Sequence, residues 1–128
     1  MTFSLQQLAD APAILLTLSS EYDLQRDFPK SHAAVKPLLD NASGPLTYIL
    51  DLTDATIDLE MLIQGANKTS REAGSTFHHP NIREVLLVSN NAALHYAAQG
   101  LQSAAFGNVK AKAFSTLDEA LDYVHSQS

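Results

Sequence analysis

Apolar residues occur in short unbroken runs that alternate with longer stretches of helical spacing. Ala13-Ile14-Leu15-Leu16-Thr17-Leu18 is one such run, between the turn candidate Ala9–Pro12 and the polar pair Ser19-Ser20. A run of that length with those boundaries predicts a buried strand. Leu46–Leu52 is the strongest strand signal: both of its faces are largely apolar, as in a central strand covered on two sides. Val85–Val88 predicts another buried strand, and Val109–Phe114 alternates like a fourth. Thr2–Leu8 alternates weakly, with Phe3 and Leu5 on one side, and predicts an edge strand paired with the first run.

Helical stripes fill the gaps. Between Asp23 and Ala42, residues Ala34, Val35, Leu38, Leu39 and Ala42 share a face. Asp27 is placed as the N-cap, with Pro29 in the first turn, and Pro37 is expected to kink or split the helix. Asn41–Pro45 ends it. Asp58 is placed to cap a helix over Leu59–Ala73, striped by Leu59, Leu62, Ile63, Ala66 and Ala73 and stopped by Gly74. Ser75–Asn81 reads as a loop. Asn90 or Asn91 opens a helix with Leu94, Ala97, Ala98, Leu101 and Ala105 inward, ending by Gly107, with Gly100 expected at a close approach to the sheet. Thr116 and Glu119 form a capping box before Leu117, Ala120, Leu121 and Val124.

The element order is therefore β–β–α–β–α–β–α–β–α. It predicts an α/β fold: a mostly parallel sheet of about five strands, an antiparallel edge strand and about four helices. No linker or repeat divides residues 1–128, so a single domain is expected.

Composition narrows the chemistry. The 128 residues include no Cys, which removes disulfides, thiolate metal sites and a cysteine nucleophile. The net charge of −6 repels nucleic acid and anionic membrane, so no nucleic-acid partner is expected. Residues 1–66 hold nine acids against three bases and carry that entire net charge; residues 67–128 are balanced. An acidic half serves solubility or offers a negative face to a basic partner. Met1–Asp10 lacks the basic start and apolar run of a signal peptide, and no stretch has the length of a membrane helix. A cytoplasmic protein with no transmembrane segment is expected.

Candidate sites are few. Asp51, Asp54 and Asp58, with Thr53, gather where the central strand ends, the usual ligand end of an open α/β sheet. Carboxylates there fit a hydrated Mg²⁺, but a strand end, a loop residue and a cap account for them more simply. A receiver-like site needs a lysine at the end of the last strand, whereas Lys110 and Lys112 fall at its start and middle. His78-His79 lack the third ligand that zinc requires. His32, His95 and His125 fall on solvent faces of helices. Ser89-Asn90-Asn91 opens a helix without a Gly-rich cradle, which leaves ordinary capping. No metal or cofactor site is expected. Met61 and Gly65 lie off the buried stripe of their helix and offer a contact surface, most simply a twofold dimer.

The chain resembles the STAS and SpoIIAA-like domains of anti-sigma factor antagonists. Leu18-Ser19-Ser20-Glu21-Tyr22-Asp23-Leu24 is similar to the family's Leu-Ser-Gly-x-Leu-Asp turn. Tyr48-Ile49-Leu50-Asp51-Leu52-Thr53 is similar to its central strand ending in Asp-Leu-Ser. Val85–Val88 resembles the next strand. Phe114-Ser115-Thr116-Leu117-Asp118-Glu119-Ala120-Leu121 resembles its closing strand and last helix start. One departure is plain: the family's Asp-Ser-Ser-Gly-Leu-Gly phosphoacceptor motif is matched by Asp58-Leu59-Glu60-Met61-Leu62, which has no hydroxyl. The phosphorylation switch is thus not implied at that position. What the resemblance implies is a SpoIIAA-like fold and a non-catalytic, regulatory module that binds a protein partner or a small ligand. The expected surface is Asp54, Thr56, Asp58, Glu60, Met61 and Gly65. Two other readings are a carrier of a small apolar or lipid ligand, by similarity to SEC14-type domains, and a small metal-dependent enzyme using Asp51, Asp54 and Asp58.

Overall fold

A computed structural model describes residues 2–55, 77, 79–103 and 108–127, with backbone alone for Leu24 and Gln127. Five strands form one sheet in the order β1-β2-β3-β4-β5: β1 Phe3–Gln7, β2 Ala13–Leu18, β3 Leu46–Asp51, β4 Ile82–Val88 and β5 Ala111–Phe114. β1 runs antiparallel to β2, with Phe3 opposite Leu18, and every other pair is parallel. The mostly parallel sheet with an antiparallel edge is thus as the sequence predicts.

Three helices lie among the described residues: α1 Leu24–Asp40, α2 Ala92–Leu101 and α3 Leu117–Gln127. The fourth expected helix, over Leu59–Ala73, falls outside them. In a parallel sheet whose strands follow in sequence order, the right-handed rule puts the crossover helices on one face. Accordingly Val35 and Leu39 of α1 and Leu94, Ala98 and Leu101 of α2 join Ile14, Leu16, Tyr48, Val85 and Leu87 in one core. The other face is covered by α3, whose Ala120 and Val124 pack with Leu15, Ile49, Leu86 and Val88. Coverage on both sides is why β2, β3 and β4 are nearly continuous apolar runs.

Several local expectations are corrected. The N-cap of α1 is Asp23, whose Oδ1 accepts from Arg26 N at 2.9 Å. Asp27 lies a full turn inside the helix, buried, and its Oδ2 accepts from Asp23 N at 2.9 Å. Pro29 therefore sits in the second turn. Pro37 neither splits nor ends α1, which continues to Asp40. Both prolines are exposed, so the carbonyls they leave unpaired face water. β4 starts at Ile82, three residues before the predicted apolar run, because Ile82 and the buried Glu84 pair with Leu46 and Thr47 of β3. A Cβ at Gly100 would meet nothing within 4 Å, so no close approach to the sheet explains this glycine. α2 is capped at Gln102, earlier than predicted, and residues 104–107 fall outside the described set. No helix among the described residues is long and apolar enough to cross a membrane.

Candidate interaction surface

The C-terminal end of the sheet is made of side chains that close their own turns. Asp51, 7% exposed at the end of β3, accepts at Oδ1 from Thr53 N at 3.0 Å and Thr53 Oγ1 at 2.7 Å. At the end of β4, Ser89 Oγ accepts from Asn91 N at 3.0 Å. Asn91 Oδ1 then accepts from Ala93 N at 2.9 Å and caps α2. His95 reaches back one turn, and its Nε2 donates to the Ser89 carbonyl at 2.8 Å, since a carbonyl can only accept. His95 is thus half-buried and engaged, not on the solvent face expected of it.

These bonds bear on the carboxylate cluster. The structure turns Asp51 onto Thr53 and leaves Asp54 exposed. Thr56, Asp58, Glu60, Met61 and Gly65 lie outside the described residues. Among the described residues no group of three or more His, Asp or Glu side chains is arranged to hold a metal ion. His79 is engaged at both nitrogens: Nδ1 accepts from Asn81 N at 3.0 Å, so Nε2 carries the proton and donates to Asp40 at 2.7 Å. That bond, with Lys36 at 2.7 Å on the other oxygen, holds the Asp40 carboxyl below the usual range. The loop after residue 78 is therefore a clamp on the end of α1, reinforced by Asn81 Nδ2 on the Leu39 carbonyl at 2.7 Å. His78 lies outside the described residues. His32 stacks on Phe28, with ring centroids 5.8 Å apart, and His125 pairs with Asp10 at 3.1 Å.

A groove of about 400 Å³ runs between α2, β5 and α3. Ala98, Phe114 and the Tyr123 ring line it beside His95, Gln102 and Lys112. Lys112 Nζ sits 5.6 Å from the Tyr123 ring centroid, a cation–π contact. Gln102 Nε2 donates to the Ala111 carbonyl at 2.7 Å and covers the outer edge of β5. This lining is mixed and open, unlike the enclosed apolar chamber that a lipid carrier uses.

The feature that the sequence reading passed over is the outer face of α2. Residues 85–109 contain no Asp, Glu, Lys or Arg. Leu94, Ala98 and Leu101 take the buried side of the helix, which leaves Ala92, Ala93, Tyr96 and Gln99 exposed. Tyr96 is 74% exposed, the one large hydrophobic side chain so displayed among the described residues. Its signal was available: Tyr96 stands nearly opposite the Leu94/Ala98/Leu101 stripe, in a run without charge. Charge depletion with an exposed tyrosine is the composition of an interface centre.

No family model matches the chain, and no curated protein matches it. Among solved structures, it is similar to an uncharacterized protein of the DUF3478 family from Shewanella loihica PV-4, described as having a SpoIIAA-like fold. The two share 14% identity, with 95% of this chain and 91% of that one covered and a TM-score of 0.55. The fold of this protein is thus SpoIIAA-like.

Proposed function

We propose that this protein is a non-catalytic interaction module of the SpoIIAA-like kind, acting in the cytoplasm by binding another protein through the outer face of α2 and the adjoining end of the sheet. The observation that carries this reading is Tyr96, 74% exposed on a helix that bears no charge. Burying an aromatic side chain of that size contributes about 2 kcal/mol, and its hydroxyl keeps a polar handle at the contact. The polar groups next to it support the same reading. Asp51, Ser89, Asn91 and His95 hold turns together and so shape the surface beside α2. Asp54, exposed just past the end of β3, belongs to this proposal; Thr56, Asp58, Glu60, Met61 and Gly65, outside the described residues, stay in it as candidates from the sequence alone.

Site-specific photocrosslinking tests the reading. A benzophenone amino acid at position 96 is expected to trap a protein in living cells of the source organism. The same probe at exposed Lys30 on α1 is the control. Equal trapping at both positions, or none at 96, would remove the case for α2.

A further inference from the structure

We propose that the outer edge of β5 takes up an extended acidic segment of a partner protein as an added strand. The inference goes beyond the reading of α2 and does not use Tyr96. β5 closes one side of the sheet and pairs with β4 alone among the described strands. Lys110 and Phe114 turn their carbonyls to β4, where Val85 N and Ser89 N donate to them at 2.9 Å. Backbone groups of successive strand residues point to opposite sides, so those of Ala111 and Ala113 point outward. Gln102 Nε2 already donates to the outward Ala111 carbonyl at 2.7 Å, so this edge accepts a donor from outside the sheet. Among the described residues no bond takes the Ala113 N–H or C=O, which an incoming strand would pair. All four residues of β5 line the groove between α2 and α3, so its long side is a strand edge. That shape suits an extended chain held by main-chain hydrogen bonds.

Charge decides which segment fits. No Asp or Glu lines the groove among the described residues. Lys112 is exposed beside the Tyr123 ring, and Lys110 precedes it by two positions, on the same side of the strand. Arg83 is exposed on neighbouring β4. Arg26 and Lys36 have carboxylate partners, whereas Arg83, Lys110 and Lys112 have none within 4 Å among the described residues. Opposite charges facing each other across two strands attract, and like charges repel. A segment with carboxylates at alternate positions therefore matches Lys110 and Lys112, whereas a second copy of β5 would set lysine against lysine. The opposite edge, β1, exposes Ser4, Gln6 and Gln7 and selects no charge.

Nuclear magnetic resonance of the isotope-labelled full chain tests the proposal, with a blocked hexapeptide of alternating glutamate and valine as the probe. Shifts are expected to gather on Ala111–Phe114 and the Gln102 side-chain amide, with hydrogen exchange of the Ala113 N–H slowed. The net charge of −6 favours a basic peptide, so a preference for the acidic one has to come from this edge. Lys110→Gln combined with Lys112→Gln should weaken binding roughly tenfold, since each cross-strand charge pair contributes up to about fivefold. Both side chains are exposed, so far-UV circular dichroism should stay as in the wild type. Lys30→Gln on α1 should change nothing. No binding, equal binding of the matching lysine–valine peptide, shifts centred on β1, or a double variant that binds like the wild type would each overturn the proposal. So would free glutamate producing the same shifts at the same concentration, which would mark a site for a small anion. A crosslink at position 96 without peptide binding refutes the β5 edge alone. Peptide binding without that crosslink refutes the α2 reading alone.

Discussion

Tyr123 Oη donates to Glu84 Oε1 at 2.7 Å, joining α3 to β4 across 39 residues of sequence. Glu84 is 3% exposed, and its other oxygen, Oε2, is buried with no hydrogen-bond partner. The phenol is therefore the group that satisfies a carboxyl placed under a helix. A half-satisfied buried group is destabilised most when its remaining partner is removed.

Tyr123→Phe should accordingly destabilise the protein by about 1–3 kcal/mol, read from urea unfolding. Adding Glu84→Leu to that variant should recover most of the loss, because a buried apolar side chain needs no hydrogen-bond partner. A neutral Tyr123→Phe would show that the bond contributes nothing net.

The same pair sets an alkaline limit. Burial, helped by the bond to Glu84 and its charge, pushes the Tyr123 phenol up to about 12 from 10.0. Between those values the unfolded chain releases a proton that the folded chain keeps. The stabilisation is fully present below pH 10 and is lost as pH rises through 12. Burial raises Tyr48 as well, so the loss is shared. Ultraviolet titration of tyrosinate should show a late-ionising class, and Glu84→Gln should bring the Tyr123 midpoint down.

The start of α1 sets the acid limit. Arg26 Nε and Nη2 donate to Asp27 at 3.1 and 2.9 Å, and Asp23 N adds a third bond. Those contacts, the Arg26 bonds foremost, hold the Asp27 carboxyl far below the usual carboxylate range. For a depressed carboxylate, the contribution is present above the unfolded value of about 4 and lost as pH falls through the folded one. Asp27→Asn should lower Tm at pH 7 and flatten the fall of stability below about pH 4. An unchanged acid profile would mean that other carboxylates govern it.

Gly100 offers the opposite change. It lies inside α2, and a Cβ there meets nothing within 4 Å. Gly100→Ala should stabilise the fold by about 0.5–1 kcal/mol, since glycine loses more backbone freedom in a helix. Thermal unfolding of the substituted chain beside the wild type, at one protein concentration, checks this. A lower Tm would contradict the open position of this residue.

By itself the sequence determined the elements whose signals are local. β2 and β3 match their apolar runs. The Thr116–Glu119 capping box forms as spaced, with Glu119 N donating to Thr116 Oγ1 at 3.2 Å. Asn91 caps α2, and the antiparallel edge follows from the short turn between the first two strands. Such features depend on neighbours within about one turn, so residue type and spacing suffice to specify them. Tertiary structure decided the rest. Asp23 and Asp27 are both good caps locally, and the choice fell to Asp23 because Asp27 is buried and paired with the exposed Arg26. Pro37 breaks a helix by the local rule, yet packing of Val35 and Leu39 carries α1 past it. Glu84 looks like the end of a strand until α3 brings Tyr123 over it. The outer face of α2 was legible from the spacing of Leu94, Ala98 and Leu101, but that Tyr96 stays 74% exposed was decided by tertiary structure, because an exposed side chain is defined by what the rest of the chain leaves uncovered.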